Sequence, residues 1–114
     1  MNINVKENTG EIAVIEIEGE VDMLSAPDVR DKLVPLFLDT MRGVVVDLSG
    51  VTYMDSSGIA TMIEGLQWST REGKRFIVSG LSEQVMDVFV LTNLKDVFEF
   101  APDTQSAFNE IAGS

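Results

Sequence analysis

Residues 43 to 50 read "GVVVDLSG". Three consecutive valines followed by Leu48 leave no polar face, so a strand built on them suits the centre of a sheet that is covered on both sides. A strand with one wet face would alternate apolar and polar residues instead. The chain must therefore place layers above and below this strand, and its flanking segments supply them.

Upstream, "INVKE" (residues 3–7) alternates as a half-buried strand does. Asn8 to Gly10 is a turn signal, with Gly10 able to take a positive φ. Residues 11–19 follow, with Ala13, Ile15 and Ile17 on one face that continues to Val21, so the two runs read as a hairpin. Glu16, Glu18 and Glu20 point the other way and form a solvated face. Residues 25–40 read as a helix with Ser25 as N-cap, Pro27 in the first turn and Asp28 complementing the positive helix end. Val29, Leu33, Leu36 and Phe37 make its buried stripe. Pro35 removes a backbone donor, which predicts a bend there or an end to the regular helix.

Downstream, residues 56–73 read as a helix with Ile59, Met62, Ile63 and Leu66 inward, Arg71 in the last turn and Gly73 just past the end. "KRFIVSG" is the next strand. Ser82 caps a helix with Val85, Val88 and Phe89 inward, and Asn93 stands where a left-handed residue would end it. "DVFEF" (residues 96–100) is a short last strand, and a closing helix carries Ala107, Phe108 and Ile111. The order β-β-α-β-α-β-α-β-α predicts an α/β fold, a mixed but mostly parallel sheet of about five strands with about four helices. The 114 residues are expected to form a single domain, residues 1–114.

Composition narrows the function. Net charge is −11 with no basic cluster, which argues against direct contact with nucleic acid or an anionic membrane. The acidity serves solubility, or it complements a basic protein face. Without cysteine there is no disulfide framework or thiolate metal site. No apolar run approaches the roughly 20 residues of a membrane span, and the first residues lack the order of a signal peptide. A cytoplasmic protein is expected.

The polar cluster "DSSG", Asp55 to Gly58, stands between the central strand and its helix. A nucleophilic serine needs a base, and the chain has no histidine, so a Ser-His-Asp triad is impossible. Asp55, Ser56 or Ser57 could each cap the helix, worth about 1 kcal/mol. A serine here could also accept phosphate, because the C-terminal end of a strand and the N-terminus of a helix are where ligands and phosphates meet such sheets. Gly58 removes side-chain bulk where another protein would approach. A phosphate adds about −1.5 to −2 charge and, beside Asp55, would repel a partner that tolerates the hydroxyl. Trp68 lies off the inner stripe as a half-buried edge residue or an interface anchor, and Met54 is core filler or an adaptable contact.

Three segments in register resemble the STAS domains, and within them the small bacterial anti-sigma-factor antagonists. "VVVDLSGVTYMDSSGIATM" (residues 44–62) resembles the family's strand, its Asp-Ser-Ser/Thr-Gly switch and the following helix. "GEVD" (residues 19–22) resembles the Gly-Glu-x-Asp that closes the hairpin, and residues 82–100 resemble the late helix and strand. Ala60 replaces a glycine frequent in the family, Glu83 a proline and Asn93 a glycine. The resemblance implies that Ser56 is the phosphorylated serine and that the chain is a ligand and substrate rather than an enzyme. Its partners would be an anti-sigma factor that is also a serine kinase, and a metal-dependent serine phosphatase. The unphosphorylated form would hold the anti-sigma factor and free the sigma factor. Asp22 would help engage the kinase, or would be a local turn residue. Asp55 would order the turn, and Ser57 would cap the helix. Partner contact is expected from Asp22, Asp55, Ser56, Ser57 and Gly58. No catalytic, cofactor-binding or metal-ligating residue is assigned. The alternative is an accessory or interaction subunit of a membrane transporter or of a signalling complex without a sigma factor.

Overall fold

The structure is a computed structural model that describes residues 1–8 and 11–113. Among the described residues the elements are β1 (Asn2–Asn8), β2 (Ile12–Val21), α1 (Ala26–Phe37), β3 (Gly43–Met54), α2 (Ser56–Glu72), β4 (Arg75–Ser79), α3 (Glu83–Leu91), β5 (Glu99–Ala101) and α4 (Thr104–Ala112). The order is the one expected. The turn expected at Asn8 to Gly10 falls on residues 9 and 10, outside those described.

The sheet runs β1-β2-β3-β4-β5. β1 pairs antiparallel with β2, Val5 opposite Ile15, and the remaining pairs are parallel. Because successive crossovers step in one direction across the sheet, their shared handedness puts α1, α2 and α3 on one face. Val44, Val46 and Leu48 pack under that layer with Leu33, Phe37, Met62 and Phe89. Val45 faces the opposite layer, where Ile12, Val14 and Ile77 meet Ala107 and Ile111 of α4. The three valines are thus divided between two cores, as a strand covered on both sides requires. Phe37, Phe76, Phe98 and Phe89 form an edge-to-face chain with centroids 5.3 to 6.3 Å apart under the three-helix layer.

β3 continues four residues beyond Gly50, to Met54. Its register against β2 slips between Glu16 and Glu18 and again between Gly19 and Glu20. Each slip gives β3 one extra residue, and a strand's facing reverses at each bulge. The buried set accordingly runs Val44, Val46, Leu48, then Val51, then Met54. Gly50 permits the first slip, since a Cβ there would lie 2.7 Å from the Glu18 side chain. The second turns Tyr53 outward and Met54 inward, immediately before Asp55.

Most helix ends match the expectations. Ser82 accepts from the Val85 amide, Gly73 is left-handed at φ 66, and Asn93 at φ 61 closes α3 with the Leu94 amide on the Phe89 carbonyl. Ser25 precedes α1 but makes no side-chain cap there. Its hydroxyl donates to the Glu20 carbonyl at 2.7 Å, back towards the strand. Pro35 sits in the last turn of α1, and the helix ends two residues later, the second of the two expected outcomes. β5 is shorter than expected, because residues 95–97 form a turn and only Glu99–Ala101 pair with β4. Trp68 is half-buried at the edge of the core, with the Arg71 guanidinium 4.5 Å over its ring.

Candidate functional site

The parallel strands β2 and β3 end side by side, and the loops leaving them form one surface. The Asp55 amide donates to the Val21 carbonyl at 3.2 Å, joining the two loops. Asp22 and Ser56 each follow one residue after an end of that bond.

On the β3 side, Asp55 is extended at φ −108 and ψ −168, as an N-cap should be. Its Oδ1 accepts from the Ser57 amide at 2.8 Å and the Gly58 amide at 3.3 Å. The cap is therefore Asp55, and the expectation that Ser57 caps the helix is corrected. A carboxylate one residue before the helix reaches these amides, whereas a serine already inside the first turn does not. Ser57 instead lines a groove between α1 and α2. Ser56, the first helical residue, is exposed. The fold does not need its hydroxyl as a cap.

Gly58 is buried, and its role differs from the expected one. A Cβ would lie 2.5 Å from Met54 Cγ, 3.0 Å from Val21 Cγ1 and 3.1 Å from the Val21 carbonyl oxygen. The missing side chain seats α2 on β2 and β3. It does not clear room for a partner, because it points into the molecule. Gly65, two turns on, does the same against Leu33 and Phe76. The inner face of α2 is thus Gly58, Ile59, Thr61, Met62, Gly65 and Ser69, with Ile63 and Leu66 only half-buried. Reading apolar residues alone missed its small ones.

On the β2 side, Asp22 Oδ1 accepts from the Leu24 amide at 3.0 Å and the Ser25 amide at 3.1 Å, and the Ser25 hydroxyl, whose proton it shares with the Glu20 carbonyl, lies 3.1 Å away. The Ser25 amide is the largest cause holding this carboxyl below its ordinary value; partial burial opposes it, and the Ser25 hydroxyl and Leu24 amide add to it. Asp22 thus holds its own turn, as the local-turn reading expects. The turn it holds carries Met23, 72% exposed, and Leu24, 86% exposed. Sequence reasoning missed this apolar pair. Its signal was two large apolar residues lying between the strand pattern and the helical stripe and belonging to neither.

The structure therefore brings Asp22, Asp55, Ser56 and Ser57 to one surface and puts Gly58 beneath it. Among the described residues no cluster of carboxylates, histidines or cysteines could hold a metal ion, and no helix is long and apolar enough to cross a membrane.

Comparison with known proteins agrees with this fold. The anti-sigma-B factor antagonist of Bacillus subtilis (strain 168) is 33% identical over 105 residues, covering 92% of this chain and 94% of the relative. The fold is similar to an anti-sigma factor antagonist from Mycobacterium paratuberculosis, with TM-score 0.87 at 23% identity over 97% of this chain and 93% of that one. It is also similar to the anti-sigma factor antagonist SpoIIAA in its unphosphorylated form, with TM-score 0.84 at 21% identity over 99% and 98% of the two chains. The phosphorylated form of SpoIIAA, a Bacillus cell fate determinant, gives TM-score 0.75 at 20% identity over 96% and 99%. The STAS domain model matches residues 2–107, and with it the chain belongs to the STAS domain family.

Proposed function

We propose that this chain is a cytoplasmic anti-sigma-factor antagonist that works by partner switching at Ser56. The observation that carries the reading is an exposed serine at the first position of α2, directly after a cap that functions without it. The relationship to the Bacillus subtilis antagonist supports the same role. The unmodified surface binds an anti-sigma factor that is also a serine kinase, and the sigma factor is released. The kinase moves the γ-phosphoryl group of ATP onto Ser56 Oγ; the hydroxyl proton leaves to a kinase base and ADP departs. A strongly hydrated group of about −1.5 to −2 charges then stands on the docking surface beside Asp55, and the complex separates because docking would strip that hydration. A metal-dependent serine phosphatase hydrolyses the ester and restores the hydroxyl. In this cycle the chain is substrate and ligand, and the catalysis belongs to its partners.

The test is tandem mass spectrometry of the protein purified from its own cells, with Ser56→Ala alongside. One phosphate on Ser56, absent from the variant, is the expected result. Binding measurements extend it: Ser56→Ala holds the anti-sigma factor persistently and Ser56→Asp holds it poorly. Equal affinity of the two variants would sink the switch.

A further inference from the structure

A groove of about 280 Å3 opens between the first turns of α1 and α2. Its walls are Met23, Ala26 and Pro27 on one side and Ala60 on the other, with Ser57 at one end. Thr61 also lines it, but donates its hydroxyl to the Ser57 carbonyl at 3.1 Å, so what it offers the groove is mostly carbon. Arg30 closes the remaining side, and its guanidinium is occupied by Glu64 at 2.8 Å.

The surroundings are acidic. Asp22, Asp28, Asp31, Asp55 and Glu64 lie on the turns that frame the groove or on the two helices that wall it, against Arg30 and Lys32 of α1, which leaves a net negative charge. Beside the groove stands the rigid turn that exposes Leu24. An apolar slot within an acidic rim fits an apolar side chain carried on a basic face. The groove also continues into the switch, because Ser57 lines it and Ser56 precedes Ser57 in the same helical turn.

We propose that this groove, with Leu24 at its edge, seats one bulky apolar side chain projecting from a basic face of the anti-sigma factor. The inference rests on the partner-switching reading and adds the anchor point and its chemistry. It also says why a phosphate on Ser56 is effective. Docking removes the groove from water, and a phosphate at its mouth would have to lose its hydration in the same step.

The test measures binding of the purified anti-sigma factor to wild type, Ala60→Leu and Leu24→Ser, with Leu91→Ser as control. Ala60 is exposed on α2, so leucine there fills the groove without entering the core. Leu24 and Leu91 are 86% and 81% exposed, and Leu91 lies on α3, away from the groove. Ala60→Leu and Leu24→Ser are expected to weaken binding by about tenfold each, while Leu91→Ser binds like wild type. Raising the salt is expected to slow association of all four, as for a basic partner on an acidic rim. Thermal melts check that each variant folds.

Wild-type binding that responds to Ser56 but is unchanged, within about twofold, in both groove variants overturns this inference and leaves partner switching standing. Wild type binding no anti-sigma factor overturns both. Sedimentation separates a further outcome: a dimer of the chain that Ala60→Leu dissolves would make a second copy the occupant and overturn the proposal.

Discussion

The Val21 carbonyl accepts the Asp55 amide at 3.2 Å, and through this bond the loop after β2 and the start of α2 become one rigid surface. Neither segment is near the other in sequence. They meet because β2 and β3 are parallel neighbours whose C-terminal ends fall on the same side of the sheet. Two further constraints then act locally. Asp55 fixes the first turn of α2, and Asp22 fixes the turn that carries Met23 and Leu24.

Asp22 separates geometry from charge. Its Oδ1 accepts two amide hydrogen bonds within its own turn, and an asparagine oxygen can accept the same two. Asp22→Asn is therefore expected to bind the anti-sigma factor within about twofold of wild type, and Asp22→Ala about tenfold more weakly. Titration of both variants by calorimetry checks this. Equal losses in the two would mean that the partner reads the carboxylate charge.

Gly58 tests how tightly α2 is seated. Alanine there gains up to about 1 kcal/mol of helix propensity over glycine. Against that stands overpacking, typically about 1–3 kcal/mol. The contacts of 2.5 Å to Met54 Cγ and 3.1 Å to a backbone oxygen leave little room for relief, so the clash wins. Urea unfolding of Gly58→Ala is expected to show a net loss of about 1–2 kcal/mol. A neutral or stabilising result would mean that the helix shifts freely on the strands.

Much of this arrangement is legible in the sequence, and the parts that are not share a cause. The valine run, the stripes of α1 and α3 and the ends marked by Gly73, Ser82 and Asn93 are local patterns, and the structure keeps them. The bulges of β3 depend on its pairing with Glu18 and Gly19, far away in the chain, so no local pattern marks them. Gly58 looked like clearance for a partner because nothing in its neighbourhood reveals that Val21 lies beneath it. Ser25 looked like the cap of α1, but its hydroxyl bonds back to the Glu20 carbonyl of β2, and the Asp28 amide of the first turn goes to the Ser25 carbonyl instead.

Acid should weaken the fold through identifiable groups. The Ser25 amide holds Asp22 below its ordinary value of 3.8. The Ser106 amide, helped by the Ser106 side chain, does the same for the α4 cap Asp103. A carboxyl with a depressed folded pKa adds stability that is present above its unfolded value and is lost as pH falls through the folded value. The melting temperature of wild type is therefore expected to fall as the pH drops below about 4. Asp103→Asn should start lower at neutral pH and fall less steeply through that window. Parallel curves for the two proteins would remove Asp103 from the acid response.

Phosphate on Ser56 should separate binding from folding. The side chain is exposed at the first position of α2, so a phosphate displaces no packed atom. It lies at the positive end of a 17-residue helix, where an anion stabilises by about 0.3–1 kcal/mol. Repulsion from Asp55 opposes this, but both charges face water and are screened. Asp55 keeps its bonds to the Ser57 and Gly58 amides, so the first turn has no reason to unwind. The phosphorylated protein is therefore expected to melt within a few degrees of the unmodified one while losing the anti-sigma factor. Calorimetry and amide exchange on the two forms measure this. Unchanged protection along α2 would mark a switch made by surface charge. Lost protection in its first two turns would mean that the modification melts the helix, and binding would then fail for lack of a surface.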